Sequence, residues 1–331
     1  MELRTIINPA RSADTIGYNT PVMLTGSCFS NEMGEMFEAG RMNVMVNPFG
    51  VLYNPVSVAR QIEVILSGTT YSAGDLEFFD NRYLSFDHDT GFSSADRDKC
   101  LSMINETTRQ SHQFLSTADF LFVTFGTARI FRHAVDGRVV ANCHKMPASR
   151  FTRELLTVDK VVDEWSNLVG ELRKFNSRLK VCFTVSPVRH WKDGAHGNQV
   201  SKSVLLLAIE QLVNNIDSVT YFPSYELLLD DLRDYRFYAD DLLHPGSLAI
   251  GYIRKYFQEV YFDEQTKKIY NEVVKVTGAT RHRVMSSDDD DRKRFAETMI
   301  SKISDLLARH PFLNLEEELV YFNRLMSGLT E

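Results

Sequence analysis

Val22-Met23-Leu24-Thr25-Gly26-Ser27-Cys28-Phe29-Ser30 carries the signals of a strand, a turn and a helix start in succession. The apolar run from Val22 to Leu24 ends in a glycine, and two potential nucleophiles, Ser27 and Cys28, open a segment of helical character from Asn31 to Glu38. Glycine lets the backbone turn sharply, and the helix start aims N–H groups where an oxyanion would form. Taken alone, the same residues describe equally well a plain strand-to-helix turn with Ser27 as the cap.

Outward from this stretch the pattern repeats. Residues 43–46 read as a second short buried strand, followed by the loop Asn47-Pro48-Phe49-Gly50-Val51-Leu52-Tyr53-Asn54-Pro55 and a helix to about Ser67 with Asn54 as N-cap. Residues 76–86 suggest a hairpin turning at Asp80-Asn81, and 97–117 a helix. Residues 119–125 form the strongest strand, of the kind buried on both faces of a parallel sheet, and end at Gly126-Thr127-Ala128. A second hairpin turns at Asp136-Gly137 and leads into Asn142-Cys143-His144-Lys145. A helix over 153–173, a strand over 179–185 and a polar loop over 189–198 follow. Next come a helix over 199–215 with Val200, Val204, Leu207, Ala208 and Leu212 inward, and a fifth strand over 219–222. Beyond the loop Asp240-Asp241-Leu242-Leu243-His244-Pro245, a last covering helix carries Ala249, Ile253, Phe257 and Val260.

Strands separated by helices predict a three-layer α/β/α fold with a parallel sheet. Ligand sites in such folds lie beyond the carboxyl ends of the strands, so the loops after each strand are expected to gather on one edge. From residue 263 only helical pattern remains, which divides the chain into a catalytic domain over 1–262 and a helical extension over 263–331. Ser286-Ser287 and the four aspartates that follow read as a helix N-terminus, ahead of an apolar face of Phe295, Met299, Ile303 and Leu306.

Composition narrows the function. The 331 residues are 44% hydrophobic and 24% charged, with a net charge of −7 and no basic block, which argues against a nucleic-acid partner. The N-terminal residues lack the apolar core of a signal peptide and no run is long enough for a membrane span, so a cytoplasmic protein is expected. Cys28, Cys100, Cys143 and Cys182 are scattered without metal or disulfide spacing. No cofactor is implied; self-association through the extension stays open.

Serine becomes a nucleophile when an imidazole takes its proton and a carboxylate holds that imidazole in the right tautomer. Asp241 and His244, three residues apart on one turn, can supply both groups, although alone they also read as a helix cap. Gly26-Ser27-Cys28-Phe29-Ser30 resembles the motif that names the GSCFA family, with Ser30 where the name has alanine, and that family is grouped with the SGNH (GDSL-like) hydrolases. The resemblance extends over most of residues 20–260, through Asn47-Pro48-Phe49-Gly50, Gly126-Thr127-Ala128, Asn142-Cys143-His144-Lys145, Ser186-Pro187-Val188-Arg189-His190 and the Asp241 to Pro245 stretch. It implies a flavodoxin-like α/β/α hydrolase with Ser27 as nucleophile, His244 as base and Asp241 as its partner. The implied chemistry is deacylation or acyl transfer, on acylated carbohydrates or small esters. SGNH enzymes commonly place an oxyanion-donating asparagine two residues after the glycine of their third block, where this chain has Ala128. The role is then expected to fall to the N–H groups of Ser27 and Gly50, with Gly50 first, and to Thr127, Asn54 or Asn142. His144, Arg189 and His190 are expected to contact substrate.

Alternatives accompany this reading. Cys28 beside a helix N-terminus is a rival nucleophile. His144, His190, Asp193 and His196 are a weakly spaced metal set. Arg129 and Lys145 are candidates for an anionic substrate group, while His112 and His133 read as structural. A catalytically weak scaffold that binds acylated glycans is the alternative to an enzyme.

Overall fold

A computed structural model describes residues 4–281 and 289–327. Ser286, Ser287 and Asp288 of the expected helix start lie outside the described residues. The chain forms two compact units: one holds residues 1–8, Pro21–Gly34 and Val44–Tyr256, the other Pro9–Thr20, Glu35–Asn43 and Phe257–Glu331.

The first unit is built on five parallel strands, β1 (Val22–Gly26), β2 (Val44–Val46), β5 (Phe120–Phe125), β9 (Lys180–Val185) and β10 (Val219–Tyr221), in the order β10-β9-β5-β1-β2. By position along the chain this is 2-1-3-4-5, the doubly wound order in which successive strands leave β1 first to one side and then to the other. The switch falls between β1 and β5, paired in register from Val22 with Phe120 to Gly26 with Thr124.

Alternating strand residues feed opposite faces of the sheet. Met23, Leu121, Val123, Phe125, Val181, Phe183 and Val185 pack beneath α2 (Pro55–Ser67), α3 (Arg97–Leu115), α4 (Val158–Phe175) and α5 (Gly194–Asn215). Trp165 of α4, fully buried, lies edge-on to Phe125 and Phe183. On the other face, α1 (Cys28–Ala39) and α7 (Ser247–Tyr261) are joined where Arg254 Nε donates to Glu32 O at 2.8 Å. A single turn, α6 (Ser224–Glu226), follows β10.

Two small antiparallel sheets are inserted: β3 (Glu77–Phe79) with β4 (Arg82–Leu84), and β6 (Arg129–His133) flanked by β7 (Val139–Val140) and β8 (Phe151–Leu155). Strand β8 corrects the expected helix over 153–173. Residues 151–155 pair along β6 from His133 with Phe151 to Arg129 with Leu155, and the helix begins only at Val158, capped by Thr157. Helix α5 begins five residues earlier than expected, and its inward face is Asn198, Ser201, Lys202, Leu205, Ala208, Ile209 and Leu212. Leu207, expected inward, is 57% exposed. Polar residues displace apolar ones there because the strand ends beneath need hydrogen-bond partners.

In the second unit, α8 (Glu264–Arg281), α9 (Asp289–Arg309) and α10 (Glu316–Met326) pack with the segments around residues 16–18 and 37–42. Phe37 meets Phe262 edge-on, Tyr18 faces Phe312, and a side chain at Gly40 would strike the Tyr270 ring. Arg41 binds Glu317 at 2.6 Å and the buried Glu318. Met299, Ile303 and Leu306 are buried, with Phe295 against Phe322.

Candidate active site

The turn at Ser27 follows from one backbone approach. Gly26 has φ +122°, and a Cβ there would sit 2.1 Å from Thr124 O, so only glycine lets β1 end this close to β5. Ser27 N–H continues the ladder to Thr124 O at 3.0 Å, and Ser30 Oγ donates to Thr124 Oγ1 at 2.9 Å. Ser27 is 1% exposed, and its Oγ accepts the Phe29 N–H at 3.4 Å.

The loop 47–54 straddles the β1/β5 crevice. Asn47 Oδ1 accepts Gly26 N–H at 2.8 Å and its Nδ2 donates to Asn31 Oδ1 at 2.6 Å. Leu52 N–H bonds Gly26 O, and Tyr53 O accepts the N–H groups of both Gly126 and Thr127, at 2.8 and 2.9 Å. The first insertion fastens the loop from outside. His88 stacks on Phe49 at 4.1 Å between centroids, Asp89 N–H donates to Phe49 O at 3.0 Å, and Asp89 Oδ2 accepts Val51 N–H at 3.2 Å.

Asp241 and His244 meet. His244 Nδ1 lies 2.6 Å from Asp241 Oδ2, while Asp241 Oδ1 accepts the N–H groups of Leu243 and His244, each at 2.9 Å. These two backbone donors, then the ring, hold the Asp241 carboxyl down at about 2. An ionised carboxylate only accepts, so the proton sits on Nδ1 and the Nε2 lone pair is left for base work. Both side chains are about half exposed. The loop is tied to the rest of the edge by Arg189 N–H donating to Leu243 O at 3.4 Å. Among the described residues, His244 makes no hydrogen bond to Ser27.

Helix α5 supplies what the sequence reading missed. Lys202 is 1% exposed, and its Nζ donates to Gly126 O and Ser186 O, both at 2.7 Å, joining the ends of β5 and β9. Burial pushes this ammonium down to about 7, partly offset by Cys28. Ser201 Oγ accepts Ala128 N–H at 2.7 Å, and Asn198 Oδ1 accepts His190 N–H at 3.0 Å. No sequence signal marked Lys202, because helical periodicity pointed to an inward face of Val200, Val204, Leu207, Ala208 and Leu212 that leaves it out. The His190 ring stands edge-on to Tyr53, centroids 5.3 Å apart, and its Nε2 would lie 3.2 Å from a Cβ on Gly126. Burial, then the Lys202 charge, lowers His190 to about 4; Asp193 opposes this, and Arg153 and His244 add to it.

Several expected residues have other work. Gly50 N–H closes a turn on Asn47 O at 2.7 Å, with φ +80° and its Cα against the Asp89 carboxyl. Thr127 N–H is held by Tyr53 O, and its Oγ1 pairs with Ser201 Oγ at 3.0 Å. Asn54 caps α2 through Ser57 N–H and Oγ, both at 2.9 Å. Asn142 Oδ1 accepts His144 N–H at 2.8 Å. His144 turns inward: its Nε2 lies 2.8 Å from Ser85 O, and since a carbonyl only accepts, the proton is on Nε2. Asp193 is buried between Arg129 at 3.3 Å and Arg153, His196 is exposed on α5, and Lys145 is exposed. Among the described residues no three His, Cys, Asp or Glu side chains converge as a metal site. Burial, then Glu32, pushes the Cys28 thiol up, which opposes a thiolate nucleophile. Among the described residues, the buried Nε of Arg189 has no hydrogen-bond partner. His112 Nδ1 lies 2.7 Å from Ile65 O and His133 Nδ1 3.1 Å from Asp136, both local structural roles. A cavity of about 380 Å³ lined by Ser57, Arg60, Glu63, Ser85, Arg138 and Glu164 includes none of Ser27, His190, Lys202, Asp241 or His244. Among the described residues no helix is long and apolar enough to cross a membrane.

A five-stranded parallel sheet with polar loops gathered at its carboxyl edge defines a doubly wound α/β protein. The chain belongs to the GSCFA family, whose model matches residues 21–257. No curated protein matches the sequence. Among solved structures, a carbohydrate esterase family 3 protein from Talaromyces cellulolyticus aligns at 10% identity over 76% of this chain and 99% of its own, with a TM-score of 0.35. An acetyl esterase mutant with acetate ion aligns at 11% identity over 77% and 99%, TM-score 0.34. The acetyl xylan esterase Est2A from the rumen bacterium Butyrivibrio proteoclasticus aligns at 11% identity over 78% and 65%, TM-score 0.37.

Proposed function

We propose that the chain is a serine hydrolase of acylated substrates, an esterase or deacetylase, or an O-acyltransferase, acting on carbohydrate-like or small esters. The observation that carries this reading is the 2.6 Å Asp241–His244 pair, oriented with its free Nε2 available, on the loop tied to Arg189 at the strand-end edge where Ser27 leads α1. Ser27 Oγ attacks the ester carbonyl as its proton passes to His244 Nε2, and the imidazolium is stabilised by Asp241. The proton then goes to the departing alkoxide, and water or an acceptor hydroxyl resolves the acyl-enzyme by the same route in reverse. Wild type is expected to turn over 4-nitrophenyl acetate, and Ser27→Ala to lower kcat by at least ~10³-fold. A second reading, a scaffold that binds acylated glycans without turnover, is favoured by the 1% exposure of Ser27 and the loss of the third-block asparagine at Ala128. Equal rates for wild type and Ser27→Ala would select it.

A further inference from the structure

Four of the five groups first expected to serve the oxyanion donate within the fold: Ser27 N–H to Thr124 O, Gly50 N–H to Asn47 O, Thr127 N–H to Tyr53 O, and Asn54 Nδ2 to Ser57 Oγ; the fifth, Asn142, is turned to its own loop, where its Oδ1 accepts His144 N–H. His190 differs. Its backbone is anchored by Asn198 and its ring is steered by the edge contact with Tyr53, yet among the described residues neither ring nitrogen has a hydrogen-bond partner. Its Nε2 lies directly over Gly126, close enough that a Cβ there would be at 3.2 Å. Gly126 lies two residues beyond Thr124, whose carbonyl holds the Ser27 N–H and which pairs with Gly26 across the β1/β5 switch, so this nitrogen borders the crevice where a Ser27 adduct would form.

We propose that the His190 imidazole is the oxyanion donor in this site, its Nε2–H replacing the asparagine amide that Ala128 cannot supply. This rests on the serine-hydrolase reading above. The groups facing the ring are Lys202, Asp193, Arg153, His244 and Tyr53. Burial and the Lys202 charge keep the imidazole neutral at pH 7, with its pKa pushed down to about 4. A neutral donor suits the role, because a second positive charge here would oppose formation of the His244 imidazolium during attack.

The test compares His190→Phe, which keeps a ring against Tyr53 but has no donor, with His190→Gln, which restores an N–H, using 4-nitrophenyl acetate. His190→Phe is expected to lower kcat by ~10² to 10³-fold with KM changed by no more than about twofold, and His190→Gln to recover at least about tenfold of that loss. Labelling of Ser27 by a fluorophosphonate, which passes through a similar oxyanion, should slow in parallel. Wild-type kcat in His190→Phe, with Ser27→Ala inactive, overturns the donor role and leaves the serine reading standing. Equal losses in the two His190 variants, both folded by circular dichroism, show a packing role and also overturn it. Equal rates for wild type and Ser27→Ala overturn the serine reading, and the donor role with it.

Discussion

Lys202 is a buried cation whose chemistry departs far from its ordinary state. A buried ammonium costs desolvation, which two carbonyl acceptors at 2.7 Å offset only in part. With its folded value near 7 and an unfolded value of ~10.4, both states are protonated below pH 7 and the full penalty is present. As pH rises through this window the folded state sheds its proton first, so stability grows between pH 7 and ~10. The unfolding free energy of wild type minus that of Lys202→Met is therefore expected to climb with pH over that range, as read from urea midpoints at pH 7 and 9.5. A flat difference would mean that the ammonium stays charged throughout. The Asp241–His244 pair was legible at this scale, because the two residues are three apart and their contact is local. Lys202 was not, because its partners, Gly126 and Ser186, are brought beneath α5 only by the parallel pairing of β5 with β9.

Among the elements, α2 shows agreement between local signal and final role. Asn54 precedes Pro55 at the first helical position, and the structure uses it as the cap, with Ser57 N–H as donor. Asn54→Ala should cost ~1 kcal/mol of stability, measurable as a lower urea midpoint at unchanged slope. Strand β8 shows the opposite case. Residues 151–155 precede a true helix without glycine or proline between them, so helical periodicity carried back into the strand. Its partner β6 lies about 20 residues upstream. The pairing of Phe131 with Arg153 also lets the latter reach Asp193, a contact no local pattern encodes.

For the whole molecule, the second unit draws on three stretches of chain rather than on the C-terminal helices alone. Ending the chain at residue 262 would remove Phe312 from Tyr18, Tyr270 from beside Gly40, and Glu317 and Glu318 from Arg41. Apolar surface around Phe37 and Phe262 would be left without the helices that complete its unit, and the 1–262 fragment is expected to be insoluble or to melt well below the full chain by circular dichroism. A fragment with the full chain's melting temperature would show that the first unit is self-sufficient.

Strand and helix succession, the glycine turn before Ser27 and the Asp241–His244 pair were set by the sequence itself, because each depends on neighbours a few residues apart. Which polar side chains enter the crevice was decided only by tertiary structure. Hydrogen bonds of Gly50, Thr127 and Asn54 occupy the groups that spacing alone offered as donors, while the buried Lys202 and the ring of His190 reach Gly126 from more than 60 residues away. A buried polar group must find its partner wherever the fold places one, and that partner need not be near in the chain.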